Sequence, residues 1–266
     1  MTSAMPVRAI TPMQGPTGIT TMDAGAIPKL AHGEAMALAE TEFDRTVKLL
    51  QLLSPDDWEQ PTVCALWNVR SMVAHVVGMA EAQASLRQFA HDFRAARKRS
   101  GGAMIDAMNA SQVRDRAELT SRQLMDRLVG VTAKAIRTRR RTPALMRRMV
   151  RLRQDPPFAA ERWPYGFLVD TIFTRDTWMH RLDISRATGR AMVVTSQHDG
   201  RLVADVVAEW ARRHGQPFTL TLTGSAGGRW RAGDGGEVIE LDALDFCWTL
   251  AGRAPGRGLL TTPVPF

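Results

Sequence analysis

The stretch Phe173-Thr174-Arg175-Asp176-Thr177-Trp178-Met179-His180-Arg181-Leu182-Asp183 decides the reading of this chain. It lies in a helical pattern over about 166–187, closed by Gly189, a residue type that commonly ends helices. At steps of about 100° per residue, Ile172, Met179 and Ala187 define an apolar stripe, with Leu168 and Val169 at its flanks. Asp176 and Asp183 fall inside that stripe and His180 at its edge. Unpaired charge on a buried helix face is costly, so such carboxylates are either paired or hold a metal.

Asp176 and His180 stand four residues apart and are neighbours on one face, so they can grip one ion together. A third ligand must come from another helix. His75 is the best candidate: it sits in Val73-Ala-His-Val-Val77, a helical segment apolar on more than one side. It is off that helix's main stripe and shares a second flank with Met72, Met79 and Leu86, which predicts that the 166–187 helix packs there. Two histidines and a carboxylate leave coordination positions open, which suits catalytic Zn2+ and also Fe2+. Asp183, about one turn on, would then orient an imidazole. The plainer alternative is that Asp176 pairs with an arginine and His180 is a satisfied core histidine.

Outward from this segment, apolar spacing predicts a first helix over about 28–53, carrying Met36, Ala39, Phe43, Val47 and Leu50 on one face. Ser54-Pro-Asp-Asp57 stops it, and Trp58, Pro61, Cys64 and Trp67 follow in a loop. Asn68 caps a second helix read as running over about 69–98, and Ser100-Gly-Gly102 breaks the chain. A weakly patterned segment leads to a third helix over about 121–141, capped by Thr120 or Ser121. Residues 142–165 read as irregular, interrupted by four prolines. Beyond Gly189 the pattern changes. A helix over about 197–213 precedes Phe218-Thr-Leu-Thr-Leu-Thr-Gly224, whose period of two is that of a half-buried strand. Two further strands, at 229–232 and 237–241, and a short helix at 243–252 complete an α+β unit. The predicted organisation is a loose tail at 1–27, a helical bundle at 28–190 and a small α+β domain at 191–266.

Composition excludes several classes. A chain of 266 residues, 44% hydrophobic and 23% charged, is neither disordered nor fibrous, and no apolar run is long enough to span a membrane. One pair of cysteines, Cys64 and Cys247, cannot build a secreted disulfide framework, so a reducing cytoplasm is expected. Cys64 reads as a small buried hydrophobe, with a fourth ligand or a nucleophile as alternatives. The net charge of +8 suits an anionic small molecule, a nucleic acid or an anionic surface. The acid-free run from Lys134 to Arg153 lacks interleaved aromatics and any nucleic-acid motif, so it reads as a solvated, substrate-gathering face. His32, His91, His198 and His214 read as solvated.

The run Leu53-Ser-Pro-Asp-Asp-Trp58-Glu-Gln-Pro61-Thr-Val-Cys64-Ala-Leu-Trp67, continuing through His75 to Gly78, resembles the first half of the DinB-like metal-binding bundle. More closely, it resembles the mycothiol-dependent maleylpyruvate isomerase family. The Glu-x-x-x-His-x-x-Asp run of that pattern corresponds here to Asp176-x-x-x-His180-x-x-Asp183, with aspartate replacing glutamate. Asp242-Ala-Leu-Asp-Phe-Cys-Trp-Thr-Leu-Ala-Gly-Arg253 is similar to part of the family's C-terminal domain. The resemblance implies a four-helix bundle with a long crossover between its second and third helices, which 99–120 would supply. It also implies metal ligands at His75, Asp176 and His180, and a divalent metal, Zn2+, activating a low-molecular-weight thiol, mycothiol. The thiol would add to an electrophilic, anionic small molecule, as in a transferase or a maleylpyruvate-type cis-trans isomerase. The alternative is a non-enzymatic binding protein on the same bundle, holding a ligand or nucleic acid through its basic segment.

Overall fold

The computed structural model describes residues 20–98 and 103–266. The predicted break at 100–102 and most of the predicted tail lie outside them. Strand β1 (Met22–Asp23) opens the described chain, followed by helix α1 (His32–Leu50), α2 (Val69–Ala84), α3 (Leu86–Arg97), α4 (Met104–Arg114), α5 (Ser121–Arg140) and the short α6 (Ala144–Met149). A hairpin of β2 (Arg151–Arg153) and β3 (Arg162–Pro164) leads through one helical turn, α7 (Tyr165–Phe167), and a π-helical turn (Leu168–Ile172) into α8 (Phe173–Thr188). Helix α9 (Asp199–His214), strands β4 (Phe218–Thr223), β5 (Gly228–Ala232) and β6 (Glu237–Asp242), and helix α10 (Ala243–Leu250) follow. The chain is therefore mainly helical, with a small α+β part at its C-terminal end. No helix among the described residues is long and apolar enough to cross a membrane.

The long helices α1, α2, α5 and α8 pack side by side. Asn68 caps α2 by accepting a hydrogen bond from Ser71 N at 2.9 Å, and Thr120 does the same for α5 toward Gln123 N at 3.2 Å. Phe43 and Leu50 of α1, Met72, Val73 and Val77 of α2, and Leu124 and Leu128 of α5 fill one apolar core with Ile184 of α8. A second core joins Trp178, Met179 and Leu182 of α8 to Val206 and Trp210 of α9, Phe218 and Leu220 of β4, and Phe246 of α10. Helix α8 thus feeds both cores. From Thr174 to Ile184 it is buried all round except at Asp176, so the single apolar stripe of the sequence reading is too narrow a description.

Other expectations need correction. The second helix does not continue to 98: Ser85 turns extended (φ −149°, ψ 116°) and its hydroxyl accepts from Gln88 N, capping a separate α3. Residues 22–27 are not loose, because Met22 and Asp23 pair in parallel with Trp230 and Arg231 and Ala24 is buried. The segment 142–165 contains α6 and the β2–β3 hairpin. His198 is buried and bonded to Glu42 at 2.8 Å, not solvated. Nor does the basic run form one solvated face. Arg139 is buried and donates through Nε and Nη2 to the Val169 carbonyl, which lies in the π-helical turn. Arg147 pairs with Asp170 and Arg140 with Glu40.

The sheet order is β1-β5-β4-β6, with β4 antiparallel to β5 and parallel to β6. The chain must therefore pass from one side of β4 to the other between 232 and 237. Gly236 (φ 85°) sits at that crossing, where a Cβ would lie 1.9 Å from the Pro217 carbonyl oxygen, so only glycine fits. A second close approach matters more for function. A Cβ at Gly78 of α2 would come within 2.6 Å of Gln112 Cβ, so the missing side chain lets α4 lie against α2 and brings Gln112 beside His75.

Candidate metal centre

His75 projects from α2 and meets Asp176 and His180 of α8, and both histidines are buried. His75 Nε2 lies 3.6 Å from Asp176 Oδ2, and His180 Nε2 lies 3.5 Å from Asp176 Oδ1. The three ligand-type atoms all fall within 4.8 Å of one another. The imidazoles stand nearly perpendicular, with centroids 5.1 Å apart, and Trp67 packs against both. The structure thus brings together all three residues that the sequence singles out.

Two observations test whether a metal fits. His75 Nε2 and Asp176 Oδ2 are buried and have no hydrogen-bond partner. Buried polar atoms rarely stay unpaired, so these two call for a ligand. Separations of 3.5 and 3.6 Å from the two histidines to the Asp176 carboxylate are long for hydrogen bonds but short enough for side chains that share one ion. The residues fit a divalent cation.

The far sides of both rings are held. His180 Nδ1 lies 3.0 Å from Asp183 Oδ2, and Arg253 grips Asp183 through two parallel bonds of 2.7 and 2.9 Å. On the other ring, His75 Nδ1 donates to Gln112 Oε1 at 2.9 Å. The Gln112 amide is fixed in turn by donating to the buried Asp92 carboxylate at 3.3 Å, which also accepts from Gln88. Both chains of bonds occupy Nδ1 and turn Nε2 toward the centre. Sequence reasoning found Asp183 but missed Gln112, Asp92 and the role of Arg253. Arg253 belonged to a recognisable run, whereas nothing near Gln112 signals a partner 37 residues away.

The local charges follow from these contacts. Burial alone would raise the Asp176 carboxyl, but His180 and then His75 hold it well below the usual carboxylate range. Burial alone would lower His180, yet Asp176 and Asp183 carry it up to about 9. Cys64 is half-buried and its thiol is pushed up, first by burial and then by Asp183, which makes it a poor nucleophile. A second grouping, His91, Asp92 and Asp115, also has the composition of a ligand set. His91 is spent on Asp115 at 2.8 Å and Asp92 on its two glutamines, so no orphaned atom faces an ion there.

The centre opens into a cavity of about 490 Å³ lined by Cys64, Leu66, Trp67, Asn109, Met179 and Phe266, among others. Gln112→Leu should weaken metal binding about 10–100-fold, because the His75 ring loses its anchor while its donor atom stays. Competition with a chromophoric chelator measures this, and an unchanged affinity would show that the Asp92–Gln112 chain does not position His75.

A family model described as the mycothiol maleylpyruvate isomerase N-terminal domain matches residues 39–185. Among solved structures, the crystal structure of the mycothiol-dependent maleylpyruvate isomerase superposes with a TM-score of 0.54 at 17% identity, covering 85% of this chain and 90% of that one. A point mutant of the same isomerase gives a TM-score of 0.54 at 16% identity, with the same coverage. At such identity these likenesses speak to the fold. No curated protein matches the sequence. Because the matched residues span more than half of its length and include α2, α5 and all three converging side chains, this chain belongs to the mycothiol maleylpyruvate isomerase N-terminal domain family.

Proposed function

We propose that the protein is a metal-dependent enzyme that activates a low-molecular-weight thiol, mycothiol, for addition to an electrophilic small molecule. The observation that carries this reading is the convergence of His75 Nε2, Asp176 and His180 Nε2, with orphaned buried atoms, at the base of an open cavity. In this reading α1, α2, α5 and α8 are the family's four-helix bundle, and His75, Asp176 and His180 hold the ion. A bound divalent ion such as Zn2+ supplies stabilisation of a thiolate, the nucleophilic form of a thiol. Asp183, braced by Arg253, keeps the His180 ring aligned, and Gln112 does the same for His75. Trp67 packs against both imidazoles. Addition is common to a transferase, which keeps the thioether, and an isomerase, which expels the thiol after bond rotation. The free state of Cys64 and Cys247 suits a cytoplasmic setting, which is part of the same proposal.

The test is metal analysis of the purified protein, followed by mycothiol consumption with an electrophile, with and without a chelator. Bound metal in about one equivalent and chelator-sensitive turnover support the reading, whereas thiol chemistry that persists without metal defeats it. The pH response has a defined sign. In the metal-free protein His180, at about 9, carries a proton at neutral pH that loading must displace. Metal affinity should therefore rise with pH up to about 9 and then level off for this group. Calorimetry at pH 7 in buffers of different ionisation heat should show proton release, and zero release would contradict a charged His180.

A further inference from the structure

Maleylpyruvate, the substrate named for the structural neighbours, carries two carboxylates, and a site for it needs cationic or hydrogen-bond-donating groups. Among the described residues, the cavity here offers no free cation. Its one basic lining residue among the described residues, besides His180, is Arg253. The Nε and Nη2 of Arg253 are both spent on Asp183, and its Nη1 faces the Ala251 carbonyl at 3.4 Å. His180 is turned to the metal centre and to Asp183. None of the exposed arginines between 137 and 153 lines the cavity.

The other polar features carry no positive charge: the Asn109 amide and the Trp67 indole offer neutral N–H donors. The Asp106 carboxylate lies at the exposed rim, and Asn109 Oδ1 is buried without a partner. The remaining wall is apolar: Ala65, Leu66, Ala110, Met179 and Phe266. The two positive charges of a divalent ion would be matched by the Asp176 carboxylate and the thiolate. A dianion entering beside them would lose water and meet the Asp106 carboxylate with no free cation among the described residues to offset it, which disfavours its binding.

We propose that the electrophile of this cavity is uncharged and largely apolar, of aromatic or comparable size, and not a dicarboxylate. The inference rests on the thiol-activating reading above and makes transfer the expected outcome. The balanced step is a substitution: the thiol proton passes to solvent, the S–C bond forms, and the carbon–leaving-group bond breaks with its electron pair on the leaving group. With 1-chloro-2,4-dinitrobenzene the leaving group is chloride.

The experiment compares the zinc-loaded, full-length protein with mycothiol and either 1-chloro-2,4-dinitrobenzene or maleate, each corrected for the uncatalysed rate. The neutral probe should have the higher kcat/KM by on the order of 100-fold. Leu66→Arg adds a free cation at a position 93% exposed, where no core is lost, and should shift the ratio toward maleate by roughly 10-fold or more. Equilibrium binding of the unreactive analogues 1,3-dinitrobenzene and succinate gives a readout independent of turnover, and only the former should bind. Faster turnover of maleate, or tighter binding of succinate, overturns the inference and leaves the thiol reading standing. No thiol reaction with either probe defeats the thiol reading, and the analogue comparison still decides the charge preference of the cavity.

Discussion

His180→Ala should abolish metal binding and thiol-dependent turnover together while the protein still unfolds cooperatively. Removing one of three protein ligands takes away the geometry that holds the ion, and without the ion the thiol returns toward its ordinary acidity. The fold should survive because α8 is held elsewhere. Trp178, Met179 and Leu182 lie in one core and Ile184 in the other, and Arg175 and Arg181 anchor the helix through buried ion pairs. Asp176 loses its nearest cation, a cost of about 1–3 kcal/mol in the metal-free state. Asp183→Asn should be milder, roughly 10–100-fold in affinity or activity, since it releases the Arg253 brace and leaves the ligand atom in place. Metal content, thermal melting and turnover decide the matter. Full turnover in His180→Ala would refute a catalytic metal, and a variant unable to fold would make the histidine structural.

What could be read from the sequence was whatever rests on near neighbours. The caps at Asn68 and Thr120 act within three residues. The period of two in 218–223 survives because one face of β4 is buried against α9 and α10 while the other alternates toward solvent. Asp176 and His180 share a face by helix geometry alone, and His75 stands out as their partner because it lies in an apolar helical segment about a hundred residues earlier, a choice the family resemblance agrees with. The break at Ser85 was hidden because Ala84 and Leu86 extend a helical pattern that a single serine does not visibly interrupt; only the backbone angles reveal the change of direction.

The rest was hidden because its meaning lies in distant partners. Arg139 looked like one more solvated arginine, and only the π-helical turn thirty residues later exposes the carbonyl that buries it. Gln112 is an ordinary polar residue until Gly78 allows α4 to approach α2. His198 has polar sequence neighbours that suggest a solvated residue, and the carboxylate it bonds to in the interior is 156 residues away. Charge balance misled in the same manner. A chain of net charge +8 carries a cavity with no free cation among the described residues, because the arginines described there pair with carboxylates or lie away from the cavity.

The largest stability effect is expected one residue from His180. The side chain of Arg181 is fully buried and faces away from the cavity. It donates to Glu42 Oε1 at 2.6 Å and Oε2 at 3.0 Å, to Asp199 Oδ1 at 2.8 Å and to the Val193 carbonyl at 2.9 Å. Asp199 also accepts from Trp178 Nε1 and Thr195 N and pairs with Arg45, while His198 bonds to Glu42. Burial alone would lower the Arg181 guanidinium, yet Glu42 and Asp199 raise it, so it stays charged. The network ties α1, α8 and the start of α9 together and thereby joins the helical part to the α+β part. Arg181→Met has a similar reach but leaves two buried carboxylates without their shared cation, a loss of about 3–5 kcal/mol in unfolding free energy. Arg181→Lys should recover only part of it, since one ammonium cannot fork across both carboxylates. Because His180 and Arg181 point from one helical turn in different directions, the two sites separate cleanly. Arg181→Met should melt earlier at any metal concentration, yet, once folded and loaded, it should retain the metal that His180→Ala cannot hold. Denaturant unfolding of both variants, with and without zinc, measures this. A loss below about 1 kcal/mol for Arg181→Met would mean that the buried network does not clamp the two parts of the chain.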